Sequence, residues 1–154
     1  MSATATNAAA IARARAGGPA PRVGIILGSG LGGLADRIED ATAIPYSELP
    51  GFPEPGVEGH AGRLVLGRFG GVPVACLQGR VHLYEGQPPR AVQTLVRTLK
   101  VMGCEVLLVT NAAGSLRLDV EPGSLMMIED HINLQPTNPL VGPNDDDFGP
   151  RFPP

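Results

Sequence analysis

Short apolar runs, each closed by glycine or proline, set the pattern of this chain from Pro21 onward. Val23 to Leu27 is the first, and a brief continuous run bounded by turn residues predicts a buried strand. It passes directly into Gly28-Ser29-Gly30-Leu31-Gly32-Gly33 and then into a short helical piece ending near Ile38. Residues 41–59 hold four Pro and three Gly, which predicts a long loop with a short strand around Ala43 to Tyr46. Arg63 to Phe69 and Val72 to Gln78 flank Gly70-Gly71, the plainest hairpin signal in the chain. Pro88 to Met102 predicts the strongest helix: two prolines open it, and Val92, Leu95, Val96, Leu99 and Met102 share one face, with Gly103 as its C-cap. Val106 to Thr110 is a second apolar strand and enters Asn111-Ala112-Ala113-Gly114, and Leu125 to Ile128 is a third, followed by Glu129-Asp130-His131. This order predicts an α/β layer structure with a mixed sheet.

Composition sharpens the picture. Gly (21) and Pro (16) are abundant in the 154 residues, yet 43% of residues are hydrophobic and mean hydropathy is +0.08, so a buried core is affordable and disorder is not predicted. The net charge of -3 gives no general electrostatic reason to bind nucleic acid or an anionic membrane, so any anion site is local. Cys76 and Cys104 sit in apolar runs without a CxxC or Cys/His cluster, which points to buried thiols in a reducing cytoplasm and to no metal site. No run is long enough to span a membrane, and the alanine-rich opening lacks the apolar segment of a signal peptide; residues 1–22 read as an N-terminal helix or tail.

Gly28, Gly30 and Gly33 fit the dinucleotide-binding spacing after a strand. That reading also needs a central strand ending in an acidic residue about 20 positions on, where Pro45 and Pro50 flank Glu48 and argue against one. A glycine turn entering a helix can instead hold a phosphate on outward-facing N–H groups, with Ser29 adding a hydroxyl. A tight turn that needs glycine for steric reasons alone fits the same residues equally well.

Gln78-Gly79-Arg80-Val81-His82-Leu83-Tyr84-Glu85-Gly86 carries more chemistry. Extended, it places Arg80, His82 and Tyr84 on one face and Val81 and Leu83 on the other. A guanidinium can hold two oxygens of a phosphate, an imidazole can donate a third bond and a phenol can bind a sugar hydroxyl. A surface pairing of Arg80 with Glu85 or Glu105 is the bland alternative. The glycine turn and the Asn-Ala-Ala-Gly turn, both at the carboxyl ends of strands, favour a site, because ligands of open α/β sheets collect there.

Together, Leu27 to Gly32, Gly59-His60-Ala61-Gly62-Arg63-Leu64, Gln78 to Gly86, Thr110 to Gly114, Asp130-His131-Ile132-Asn133-Leu134 and Gly142-Pro143-Asn144-Asp145 resemble the trimeric purine nucleoside phosphorylases, in order from about Ala9 to Phe152. Related methylthioadenosine phosphorylases fit the Gln78–Gly86 stretch less well. The resemblance implies a three-layer α/β/α fold with a mixed central β-sheet whose C-terminal part is missing, residues 23–154 forming one incomplete domain. It implies phosphorolysis of purine ribonucleosides and deoxyribonucleosides to free base and (deoxy)ribose 1-phosphate in purine salvage. Phosphate would be bound by Ser29, His60, Arg80, His82 and the backbone N–H of Ala112, with His82 and His60 as the catalytic histidines. Tyr84 would contact the ribose, and Phe152 would close over the ribose of a neighbouring subunit in a homotrimer. Inorganic phosphate is a co-substrate and no cofactor or metal is implied. Ser115 replaces a glycine common in the family, and the groups that would read the purine lie beyond Pro154, so the chain alone is expected to be weakly active or inactive, the alternative being a non-catalytic phosphate- or nucleoside-binding fragment.

Overall fold

A computed structural model describes residues 3–53, 61–82, 85–88 and 91–152. Its centre is a five-stranded mixed sheet formed by β1 (Val23–Ile26), β2 (Glu39–Pro45), β3 (Arg63–Phe69), β4 (Val72–Gln78) and β5 (Val106–Val109), in the order β2-β3-β4-β1-β5. The β2–β3 and β3–β4 pairs are antiparallel, whereas β1 lies parallel between β4 and β5. The hairpin has the predicted bounds: Arg63 pairs with Gln78 and Phe69 with Val72, and Gly70 and Gly71 both take positive φ (55° and 79°), the turn whose twist matches that of paired strands.

Alternation along the strands builds two apolar faces. Leu64, Leu66, Ala75 and Leu77 face helices α1 (Ala3–Ala16) and α2 (Ala91–Val101), while Val65, Val74 and Cys76 join Ile25, Leu27, Ala35 and Ile38 on the other side. Alanine is the strongest helix former, and Ala5, Ala8, Ala9 and Ala12 make a buried stripe of small side chains along α1. The amphipathic α2 buries Leu95 and Leu99. It ends after Val101 in a Schellman arrangement, Cys104 N–H donating to Leu99 O (3.1 Å) and Gly103 N–H to Lys100 O (3.0 Å).

Four expectations are corrected. The piece ending near Ile38 is a 3-10 segment, Gly32–Arg37, and it is what covers the second face of the sheet among the described residues. The short strand expected around Ala43 to Tyr46 starts earlier and is longer: β2 begins at Glu39 and is followed by the 3-10 turn Tyr46–Glu48, while residues 54–60 lie outside the described ones. Pro45 is tolerated because β2 is an edge strand. Leu125–Ile128 pairs with nothing described and forms no strand; its residues are 55–100% exposed. Chain 80–82 has left the sheet, because β4 ends at Gln78 and Gly79 turns at φ 102°.

Both cysteines are free and buried, and burial pushes the thiol of Cys76 up to about 12 and that of Cys104 up to about 11. Since the thiolate is the reactive form, an aromatic disulfide reagent at pH 8 should label neither thiol in the native protein and both in denaturant, monitored by released thiolate absorbance. Rapid native labelling would show that the core is open at these positions.

Candidate functional site

Because β1 is parallel to both neighbours, and Ile26 is level with Leu77 on one side and Val109 on the other, three strands deliver their carboxyl ends to one rim. From it emerge Leu27-Gly28-Ser29, Gly79-Arg80 and Thr110-Asn111-Ala112. Thr110 ties two of these turns together. Its hydroxyl accepts the Gly28 N–H (3.0 Å) and donates to Ile26 O (3.2 Å), and its own N–H also donates to Ile26 O (3.0 Å). A Cβ on Gly28 would lie 2.5 Å from Thr110 O and 2.7 Å from Asn111 Cα, so the approach of the two turns demands glycine. Gly28 O then accepts Leu31 N–H (3.1 Å), closing the turn that carries exposed Ser29.

Arg80 lies against this rim. Its Nη1 donates to Thr110 O at 3.4 Å, while its Nε is buried and has no hydrogen-bond partner among the described residues. Among the described residues Glu105 pairs with Arg22 (3.3 Å) and Glu85 with His82, and no pair of either with Arg80 is seen. One carboxylate oxygen of Glu85 accepts both the backbone N–H of His82 (2.7 Å) and its ring Nδ1 (2.9 Å). A carboxylate accepts only, so Nδ1 carries the proton in this pair and the ring orientation is set.

A second layer holds the rim. Buried Gln78, at the end of β4, donates from Nε2 to Gly32 O (2.8 Å) and accepts Arg63 Nε, whose guanidinium also reaches Asp36 (3.2 Å). The buried phenol of Tyr46 donates to Gly79 O (2.8 Å) and its ring meets Phe52 edge-on at 5.1 Å. Burial raises its pKa well above the ordinary phenol value, keeping it the donor this bond needs.

The structure therefore brings Ser29, Arg80 and Ala112 onto turns of one rim and orients His82 nearby in sequence, but not as a row along a strand. His60 and Tyr84 lie outside the described residues. Phe152 is 82% exposed, and no ring contact or hydrogen bond ties it to the rim among the described residues. It follows a segment fastened to α2 by Arg97, which pairs with Asp145 (3.4 Å) and stacks 4.6 Å over the Phe148 ring. Residue-by-residue reading missed Thr110, Gln78, Tyr46 and the role of Glu85. Thr110 and Gln78 did leave a signal, each being the polar residue that closes an apolar strand. A cavity of about 380 Å³ lies elsewhere, by the start of β1 and β4, and its two guanidiniums, Arg13 and Arg68, already donate to the carbonyls of Val101 and Gly71.

The model of the phosphorylase superfamily matches residues 22–154. Purine nucleoside phosphorylase 1 of Geobacillus stearothermophilus is 56% identical over 133 residues, and that of Bacillus subtilis 54%; these matches cover 86% of this chain and 48% and 49% of the relatives. The Bos taurus purine nucleoside phosphorylase is 51% identical over 136 residues, 47% of its length. The chain thus spans about half the length of the relatives it matches. A solved structure of purine nucleoside phosphorylase isoform 2 from Schistosoma mansoni, with cytosine and ribose-1-phosphate, superposes with a TM-score of 0.88 at 44% identity, over 98% of this chain and 54% of that one.

Removing the Thr110 hydroxyl while keeping its shape isolates the tie between the turns. Thr110→Val should cost about 1–3 kcal/mol, the penalty of stranding a part-buried Gly28 N–H, and Thr110→Ser should restore most of it, as measured by denaturant unfolding.

Proposed function

The chain belongs to the phosphorylase superfamily, and we propose that its strand-end rim holds inorganic phosphate for the phosphorolysis of purine nucleosides and deoxynucleosides. One observation carries the reading: a guanidinium anchored through Nη1 on Thr110 O has its Nε–H buried and, among the described residues, without a hydrogen-bond partner, at the rim where two small-residue turns converge. Burying such a donor is costly unless a ligand accepts from it, and a phosphate oxygen is the acceptor a guanidinium fork fits best.

In this reading Arg80 and Ser29 grip phosphate oxygens, the Ala112 N–H adds a backbone donor, and His82, its Nδ1 held by Glu85, aligns its ring toward the same anion. His60 contributes to the phosphate, Tyr84 to the ribose, and Phe152 to the ribose site of a neighbouring subunit in a homotrimer. A phosphate oxygen forms a bond to C1′ as the C1′–N bond to the purine breaks. The electron pair departs with the base, which takes up a proton, leaving (deoxy)ribose 1-phosphate. Phosphate is a weak nucleophile toward carbon, so positioning it against an oxocarbenium-like centre is the main task of this rim. The reaction takes phosphate as co-substrate, uses no cofactor and suits purine salvage in the cytoplasm.

The test is calorimetric titration with inorganic phosphate. Arg80→Ala should weaken binding by at least about 10-fold, as expected for loss of a charge-assisted pair, and unchanged affinity would remove the clamp. Incubation with inosine and phosphate separates the two forms of the reading. Phosphate-dependent hypoxanthine release marks a working site, and phosphate binding without release marks a binding fragment.

A further inference from the structure

The cavity of about 380 Å³ lies at the far end of β1 from the rim, where Val74 is level with Val23. Buried Leu66, Val74 and Met102 give it apolar walls, and three charged residues line it as well: Arg13 on α1, Asp40 on β2 and Arg68 on β3. Arg13 donates through Nη2 to Val101 O and Arg68 through Nη2 to Gly71 O, so each guanidinium is tethered at one corner to another element. Neither has a second hydrogen-bond partner among the described residues. Neither pairs with Asp40 among those residues, although Arg15, Arg22, Arg63 and Arg97 each pair with a carboxylate elsewhere in the fold. The backbone is unusual at the same place. Asp40 is the one non-glycine residue at positive φ (52°) among the described residues, and it sits where β2 breaks register with β3. Opposite it, a Cβ on Gly67 would lie 2.4 Å from Glu39 O and 2.6 Å from Ile38 Cγ2, so this irregularity needs glycine on β3. Bulges re-aim side chains, and residues held in the left-handed region cluster at ligand clamps.

Opposite charges that line one cavity without meeting suit a ligand that bridges them, and the lining defines its chemistry. A carboxylate head occupies a single guanidinium fork with its two oxygens, whereas a phosphate monoester has three terminal oxygens and takes two forks. The Asp40 carboxylate only accepts, so beside an anion it is favourable against an N–H of the same ligand. Apolar walls between these groups suit a ring. We infer that this cavity is a second ligand site, separate from the rim, for an organic phosphate monoester whose ring carries an N–H donor, the chemistry of a nucleoside monophosphate. The phosphate lies on Arg13 and Arg68 and the ring N–H on Asp40. The inference rests on the lining of this cavity and not on the chemistry of the rim.

The experiment is calorimetric titration of the 154-residue chain with guanosine 5′-monophosphate, whose base presents N–H donors along one edge. Saturable 1:1 binding is expected, weakened at least about 10-fold by Arg13→Gln and by Arg68→Gln. Guanosine, which lacks the phosphate, and ribose 5-phosphate, which lacks the base, should each bind at least about 10-fold more weakly than the nucleotide. Asp40→Asn should weaken the nucleotide and not ribose 5-phosphate, because only the base meets that carboxylate. Arg80→Ala, at the rim, should leave nucleotide affinity unchanged. Circular-dichroism melts that match the parent separate lost binding from lost fold, and Arg68→Lys, which keeps the charge and removes the fork, reads the same loss if Arg68→Gln unfolds. A parent chain that shows no saturable binding overturns the inference, as does binding that survives both glutamine variants. Binding lost in Arg80→Ala assigns the nucleotide to the rim and overturns it too, and equal affinity for ribose 5-phosphate removes Asp40 from the site. Inorganic phosphate is titrated separately: its failure to bind overturns the reading of the rim and leaves this second site standing.

Discussion

The contact on which the rest depends is the pairing of Gly28 with Thr110. Two chain turns 82 residues apart in sequence meet closely enough to exclude a Cβ, and the threonine hydroxyl satisfies a backbone donor that the approach would otherwise strand. This contact is possible because β1 is parallel to both β4 and β5, so all three chains leave the sheet in the same direction. Parallel pairing thereby does more than stabilise: it stacks three backbone exits side by side, each with its own N–H groups, and lets a single arginine reach across from one to another.

Around this contact, polar groups are spent on geometry. Gln78 is buried in an otherwise apolar strand and is satisfied on both sides, by Arg63 and by Gly32 O. Tyr46 holds the Gly79 carbonyl at the point where the chain leaves β4, and Glu85 holds both the backbone and the ring of His82. Each bond restrains a segment that carries one of the candidate ligands. Preorganisation of this kind leaves a ligand little ordering entropy to overcome, and Arg80 Nε, buried without a partner among the described residues, is where a ligand would complete the network.

Much of the framework was legible because it is local. The hairpin follows from two glycines between apolar runs, β1 and β5 from short apolar runs ending in small residues, and α2 from its single apolar face and glycine stop. The errors share a cause, since periodicity cannot register whether a partner exists. Leu125–Ile128 has strand composition and no strand beside it, while β2 carries only one buried side chain, Ile44, and still pairs. Arg80 to Tyr84 alternates like a strand, but Gly79 turns the chain out of the sheet and Arg80 bonds across to the end of β5. Thr110 and Gln78 escaped notice because a single polar residue at the end of a strand gains meaning only from what lies opposite it.

The distribution of sequence separations in the sheet has a kinetic consequence. The β3–β4 hairpin closes over two glycines, whereas β5 reaches β1 only after the chain has spanned most of its described length. Loop closure costs about 0.6 kcal/mol for each doubling of the loop, so nearby pairings lead and β5 trails. The rim cannot exist before that last strand arrives, because Thr110 belongs to it. A nascent chain therefore carries its glycine turn and its arginine for some time before they share a surface, and the rim is among the last features of the fold to be assembled.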